Sequence, residues 1–201
     1  MAVFPAFLKL AGRKVLVVGG GPMAAAKVAP LRQAGAEIHV VAPAICADLD
    51  LTAVASVVRR EFRPDDLDGV WLVVAAATSA VNREVAAEAA RRHLFVNAVD
   101  DPENATVYLG GVVRRGGATI AISTDGAAPA LAGLLREALD AALPDEEEME
   151  AWLARARELR IHWRATGVPM AARRPQLLEA LNGLYGEFRL KAEATETGAP
   201  R

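Results

Sequence analysis

The chain has a single cysteine, Cys46, so no internal disulfide can form and the fold must be held by its own core. Cys46 itself reads as a small core or surface residue, because no matching histidine signature accompanies it. Charge of one sign is also scarce: 23 Lys and Arg stand against 25 Asp and Glu, for a net charge of -2. That balance gives no bulk attraction to nucleic acid, which is not expected as a partner. No apolar run reaches membrane-spanning length without interruption, and Met1-Ala2-Val3-Phe4-Pro5-Ala6-Phe7 lacks the basic start and long apolar centre of a secretory signal. A cytoplasmic protein with no membrane partner is expected. His39, His93 and His162 show no metal-ligand spacing, so no metal site is assigned.

What is present is apolar and organised. With 53% hydrophobic residues in 201, the chain can build one α/β domain and a smaller companion. Val15-Leu16-Val17-Val18-Gly19-Gly20-Gly21-Pro22-Met23-Ala24 reads as a buried strand, a glycine turn and a helix start, in the pattern G-x-G-x-x-A. Gly19 permits the tight turn, Gly21 lets backbone N–H groups approach a pyrophosphate, and Ala24 lets the helix pack close to the strand. The helix N-terminus directs free N–H donors and its positive dipole end at the phosphates, and Pro22 costs no helical hydrogen bond there. A glycine-rich turn that binds nothing has the same local sequence, and context decides between them.

That context alternates strand and helix. Strands are expected at Lys14 to Val18, Glu37 to Ala42, Val57 to Glu61, Trp71 to Ala77 and Leu94 to Ala98, with helices at Pro22 to Gln33, closed by Gly35, and Val81 to Arg92. This predicts an α/β fold with a doubly wound parallel sheet of Rossmann type over residues 1–112. After Pro102 two β-rich runs, Thr106 to Val113 and Ala118 to Ser123, flank a tight hairpin at Arg114-Arg115-Gly116-Gly117, and a helix follows from Pro129 to Leu143. This small α+β module is placed at 113–143. In the helical remainder, 144–201, Asp145-Glu146-Glu147-Glu148 reads as a helix first turn, and Arg155, Arg157, Arg160 and Arg164 fall towards its other end. A last helix is expected from Arg173 to Tyr185, ending near Gly186, before a frayed tail from Ala192 to Arg201.

Dinucleotide folds usually place an acid at the end of the second strand to bind the adenosine ribose. Here that place reads Val41-Ala42-Pro43-Ala44, and no arginine stands there either. Lys27, one turn into the first helix, reads either as a solvated lysine or as a family marker.

Gly19-Gly20-Gly21-Pro22-Met23-Ala24-Ala25-Ala26-Lys27, Ala76-Ala77-Thr78, Asn97-Ala98-Val99-Asp100 and Ser123-Thr124-Asp125-Gly126-Ala127-Ala128-Pro129 occur in that order. Together they resemble the precorrin-2 dehydrogenase family, which includes the N-terminal module of siroheme synthase. The resemblance implies a Rossmann domain, a dimerisation domain at 113–143 and a C-terminal helical domain. It implies a homodimer that uses NAD to oxidise precorrin-2 to sirohydrochlorin, some members also inserting ferrous iron. Gly19, Gly20, Gly21, Pro22, Met23, Pro43, Ala44 and Thr78 match the cofactor-binding positions, and Asp100 matches the catalytic aspartate. Ser123 and Thr124 are substrate-side candidates, although Ser and Thr before a helix also serve as ordinary caps.

The chemistry can be argued beside the resemblance. The oxidation removes a hydride and a proton from a reduced tetrapyrrole, so it needs a hydride acceptor and a base, and a carboxylate at the C-terminal edge of the sheet suits the second role. Asp100 in Val99-Asp100-Asp101-Pro102 also reads as a turn former, and Asp101 could share or replace its role. A polycarboxylate substrate calls for guanidinium groups, for which Arg114, Arg115, Arg164, Arg173 and Arg174 are candidates. A non-catalytic NAD-sensing module is the reading from another class. The chain departs from the family pattern at Val107-Tyr108-Leu109-Gly110-Gly111 and at Ser123-Thr124-Asp125-Gly126.

Overall fold

The structure is a computed structural model that describes residues 3–181. These divide into two compact units between Leu109 and Gly110. In the first, β1 (Lys14–Val18), α1 (Pro22–Gln33), β2 (Glu37–Val41), β3 (Ser56–Val58), β4 (Leu72–Ala75), α2 (Ser79–Arg91) and β5 (Phe95–Ala98) follow one another. The strands form one parallel sheet in the order β3-β2-β1-β4-β5.

Side chains alternate across a strand, so a strand covered on both sides must be apolar throughout. Along β1, Val15 and Val17 enter one core with Ala24, Val28 and Leu31 of α1, while Leu16 and Val18 enter the other with Val85 and Ala89 of α2. These four of the five β1 side chains are at most 2% exposed, so both faces of the sheet are covered. Gly35, at φ 73°, closes α1 in the left-handed conformation.

Several strands stop earlier than the apolar runs do. β3 ends at Val58 because the Arg60 N–H bonds back to the Val58 carbonyl at 3.1 Å, turning the chain at Arg59. β4 begins at Leu72, not Trp71, whose indole lies half exposed beneath the Arg13 guanidinium at 3.8 Å. The β-rich run from Thr106 divides. Thr106 and Val107 N–H groups both donate to the Val96 carbonyl, tying this stretch to β5, and only β6 (Gly111–Arg115) joins the hairpin.

In the second unit β6 pairs antiparallel with β7 (Ala118–Ile122). Gly116 and Gly117, at φ 52° and 83°, make the two-residue turn with both centres left-handed. α3 (Pro129–Ala142) packs on β6, and α4 (Glu146–Thr166) starts with Asp145 accepting from the Glu148 N–H at 2.9 Å. Gly167, at φ 69°, ends α4. α5 (Met170–Ala180) begins before Arg173 and carries Pro175 inside it. The expected continuation to Tyr185 and Gly186 and the tail from Ala192 to Arg201 lie outside the described residues.

Two outcomes follow. Leu16→Ala removes a side chain 1% exposed between two layers and should lower the unfolding free energy by about 3 kcal/mol in urea denaturation. The Arg60 guanidinium bonds both carboxylate oxygens of Asp66, at 2.8 and 2.6 Å, and with the Arg63 N–H holds that carboxyl below its ordinary pKa against the cost of burial. Because the folded pKa is depressed, this stabilisation is present at neutral pH and is lost as pH falls through the depressed value. Asp66→Asn should flatten the acid limb of stability against pH, read as urea midpoints in an acid series.

Candidate active site

At the C-terminal edge of the sheet four loops emerge side by side, and the backbone fixes their positions. Gly19 donates to the Val41 carbonyl at 2.9 Å and Ala76 to the Val18 carbonyl at 2.8 Å, while Cys46 donates to the Gly20 carbonyl at 2.7 Å. These bonds hold the loops after β1, β2 and β4 against one another. Gly19 sits at φ 119°, where a Cβ would fall 2.2 Å from the Ala76 carbonyl oxygen. At Gly20 a Cβ would fall 2.2 Å from the Ala44 carbonyl oxygen. Both glycines are therefore required by the packing of the protein on itself.

Gly21 differs from both. Its φ is an ordinary -84° and a Cβ there would meet nothing within 4 Å, so the space in front of it is open. Gly21 is the N-cap of α1, with no side-chain cap and no acid in the first turn. The N–H groups of Gly21, Met23 and Ala24 have no acceptor within the helix, and Pro22 has none to offer. Free donors, an uncompensated positive dipole end and open space suit a pyrophosphate.

Around this cradle Pro22, Met23, Pro43, Ala44 and Thr78 are exposed. Thr78 is the N-cap of α2, but its hydroxyl makes no capping bond. Its loop is held instead by Asn82, a buried side chain whose Oδ1 accepts from the Ala77 N–H at 3.0 Å. Asn82 is a positioning residue that the sequence reading did not single out; a buried Asn in a helix that otherwise presents Val and Ala to the sheet is its signal.

Asp100 follows β5 at the same edge, on the far side of β4 from the glycine loop. Val99 donates to the Ala75 carbonyl at 2.9 Å, which fixes the base of its loop. Asp100 adopts φ 57°, a left-handed conformation that Asp tolerates, and its exposed carboxylate has no hydrogen-bond or ionic partner among the described residues. Asp101 is engaged otherwise: both its oxygens accept from Asn104 Nδ2 at 2.9 Å. Asp100 thus takes the left-handed position of the turn that the Asp101 N–H closes on the Ala98 carbonyl at 3.4 Å, while its carboxylate, unlike that of Asp101, stays uncommitted. Beneath this loop the buried Asn97 donates to the Val107 carbonyl at 3.0 Å, while its Oδ1 lacks a partner.

The substrate-side candidates belong to the second unit. Arg114 is exposed, without a partner among the described residues. Arg115 bonds Asp140 Oδ1 at 2.5 Å and the Pro144 carbonyl at 2.8 Å, locking the end of α3 to the hairpin. Ser123 Oγ accepts from the Asp125 N–H at 3.1 Å and Thr124 Oγ1 from the Ala128 N–H at 3.3 Å, both local turn contacts. Arg164 and Arg174 are exposed, and Arg173 donates to the Val168 carbonyl at 3.0 Å. Among the described residues no group of three or more His, Cys, Asp or Glu could hold a metal ion, and no helix is long and apolar enough to cross a membrane.

The siroheme synthase of Photorhabdus laumondii is 39% identical over 189 residues, covering 92% of this chain and 40% of that protein. That of Sodalis glossinidius is 40% identical over 192 residues, covering 94% and 40%. The chain thus spans about 40% of the length of these relatives. The solved structure of SirC, precorrin-2 dehydrogenase, superposes with a TM-score of 0.70 at 27% identity, covering 97% of this chain and 100% of that one. The family described as "Putative NAD(P)-binding" matches residues 6–111, and that described as "Sirohaem biosynthesis protein central" matches 115–142. With the first match spanning more than half of its residues, this chain belongs to the NAD(P)-binding family, in the form that carries the sirohaem central segment.

Proposed function

We propose that the chain oxidises precorrin-2 to sirohydrochlorin, with NAD taken at the glycine loop, Asp100 as the catalytic carboxylate, and a homodimer as the working form in the cytoplasm. The observation that carries this reading is the uncommitted Asp100 carboxylate, held on the nicotinamide side of the sheet edge that also presents the open Gly21 cradle. Gly19, Gly20 and Gly21 shape the cradle, and Pro22, Met23, Pro43, Ala44 and Thr78 border the dinucleotide.

When bound, NAD supplies the hydride acceptor. Asp100 accepts the proton that leaves the tetrapyrrole carbon as the new double bond forms, and passes it to solvent through its exposed face. Holding the backbone at φ 57° sets the direction of that carboxylate before substrate arrives, at a small conformational cost. Arg114, Arg115, Ser123 and Thr124 of the second unit are the substrate-side residues in this reading, with guanidinium groups suited to carboxylates, and Arg115 also fixes the hairpin through Asp140.

The reading divides the chain into a cofactor domain (1–112), a dimerisation segment (113–143) and a helical segment (144–201). Support for a dimer comes from α3, which leaves Leu131, Leu134 and Leu135 exposed at helical spacing. The relatives named siroheme synthase and precorrin-2 dehydrogenase support the substrate class.

Two variants test the assignment. Asp100→Ala should retain the fold and NAD affinity while sirohydrochlorin formation falls by about 10²-fold or more, followed by absorbance; unchanged turnover would remove Asp100 from the chemistry. Gly21→Val should keep the fold, because a Cβ there meets nothing within 4 Å, at a cost of about 1 kcal/mol for losing a favoured N-cap residue, yet weaken NAD binding by about tenfold or more in calorimetry. Undiminished affinity would mean that the phosphates lie elsewhere.

A further inference from the structure

Asn97 is out of place in the strand that carries it. Parallel strands buried on both faces are apolar throughout, and β5 otherwise buries Val96 and Ala98. Asn97 lies in register with Val74 of β4, a core residue with no exposed surface, and is itself only 7% exposed. A valine there would need no partner at all. The amide uses Nδ2 on the Val107 carbonyl at 3.0 Å, while the buried Oδ1 has no partner among the described residues. One hydrogen bond adds little net stability, and a buried acceptor left unpaired costs at least as much. Stability therefore does not account for an asparagine at this position.

What the Asn97 bond does is close the loop that carries Asp100. At the near end of the stretch 99–105, the Val99 N–H donates to the Ala75 carbonyl at 2.9 Å. At the far end the Thr106 and Val107 N–H groups donate to the Val96 carbonyl at 2.8 and 3.0 Å, and the Thr106 hydroxyl accepts from the Val96 N–H at 2.8 Å. All of those far-end bonds converge on Val96; Asn97 adds a separate anchor one residue along β5. Inside the loop the backbone bonds are long, from Asp101 to the Ala98 carbonyl at 3.4 Å and from Ala105 to the Pro102 carbonyl at 3.4 Å. The loop's shape is thus imposed from its ends. Within it Asp100 holds φ 57°, a conformation that persists in a residue with a Cβ only where its surroundings impose it.

We infer that Asn97 is a positioning residue for the Asp100 carboxylate: its bond to Val107 holds the loop 99–105 in the shape that presents this carboxylate at the sheet edge. The inference rests on the catalytic assignment of Asp100 above and deepens it. The test is Asn97→Val in the full chain. For precorrin-2 oxidation with NAD, kcat should fall by about tenfold or more, while KM for precorrin-2 and Kd for NAD stay within about threefold. The urea midpoint should hold or rise, because the unpaired acceptor leaves the core. Hydrogen exchange followed by mass spectrometry should quicken across 99–107 and stay unchanged in β1 and β4. In an Asp100→Ala background the same substitution should cost nothing further, since Asn97 acts through that carboxylate. Thr106→Val, which removes the hydroxyl bond to Val96 from the other side of the clamp, should show the same split between kcat and KM.

Exchange unmoved by Asn97→Val would overturn the inference, as would a loosened loop with kcat unchanged. A lowered urea midpoint, or loss of folding, would make Asn97 a residue of the core alone. A further loss of turnover when Asn97→Val is added to Asp100→Ala would overturn the link between the two residues. Unchanged turnover in Asp100→Ala by itself would overturn the catalytic assignment and this inference with it. Hydrogen exchange, which does not depend on activity, separates that failure from a failure of the clamp.

Discussion

The loop leaving β1 lies so close to the end of β4 that a Cβ at position 19 would sit 2.2 Å from the Ala76 carbonyl oxygen. Everything at the sheet edge depends on that approach. It lets Ala76 continue the ladder to Val18, and it brings the start of α1 and the Thr78 loop onto one surface. Gly20 repeats the approach on the other side, against Ala44. Two glycines thus serve the protein's internal packing, and Gly21 leaves room for what comes from outside. The same three letters do different work, distinguished by what each missing side chain would meet.

The buried sheet makes this edge rigid. β1 is covered on both faces, so its ends cannot shift without disturbing two cores, and the N–H groups offered by α1 are presented without further ordering. Along the edge, function is graded. The exposed Pro43 and Ala44 follow β2, the open Gly21 loop follows β1, and the carboxylate of Asp100 follows β5 on the far side. In folds of this class a dinucleotide's phosphates lie at the switch point, which here falls between β1 and β4.

What was legible in the sequence is what local rules govern. The alternation of strand and helix, the glycine turn into α1 and the left-handed Gly35 depend on residues near one another in the chain and stand where they were expected, while the hairpin turn narrows from Arg114-Arg115-Gly116-Gly117 to its two glycines, with Arg114 and Arg115 in β6. What was not legible depends on partners brought from elsewhere. β3 stops short because Val58 answers both its own turn and Ala42, and Thr106 joins β5 because Val96 offers a carbonyl. At the candidate site, the glycine loop could be picked out by pattern and Asp100 by the family resemblance. The division of labour between Asp100 and Asp101 could not, since it is made by Asn104.

The account's central claim is that this sheet edge couples a dinucleotide to the oxidation of a reduced tetrapyrrole. Its most direct test is to incubate the purified chain with precorrin-2 and NAD without oxygen and to follow reduced nicotinamide and sirohydrochlorin together. The account predicts that both rise at equal rates, one for one, well above the enzyme-free control. Sirohydrochlorin formed without reduced nicotinamide, or no product beyond that control, would contradict it.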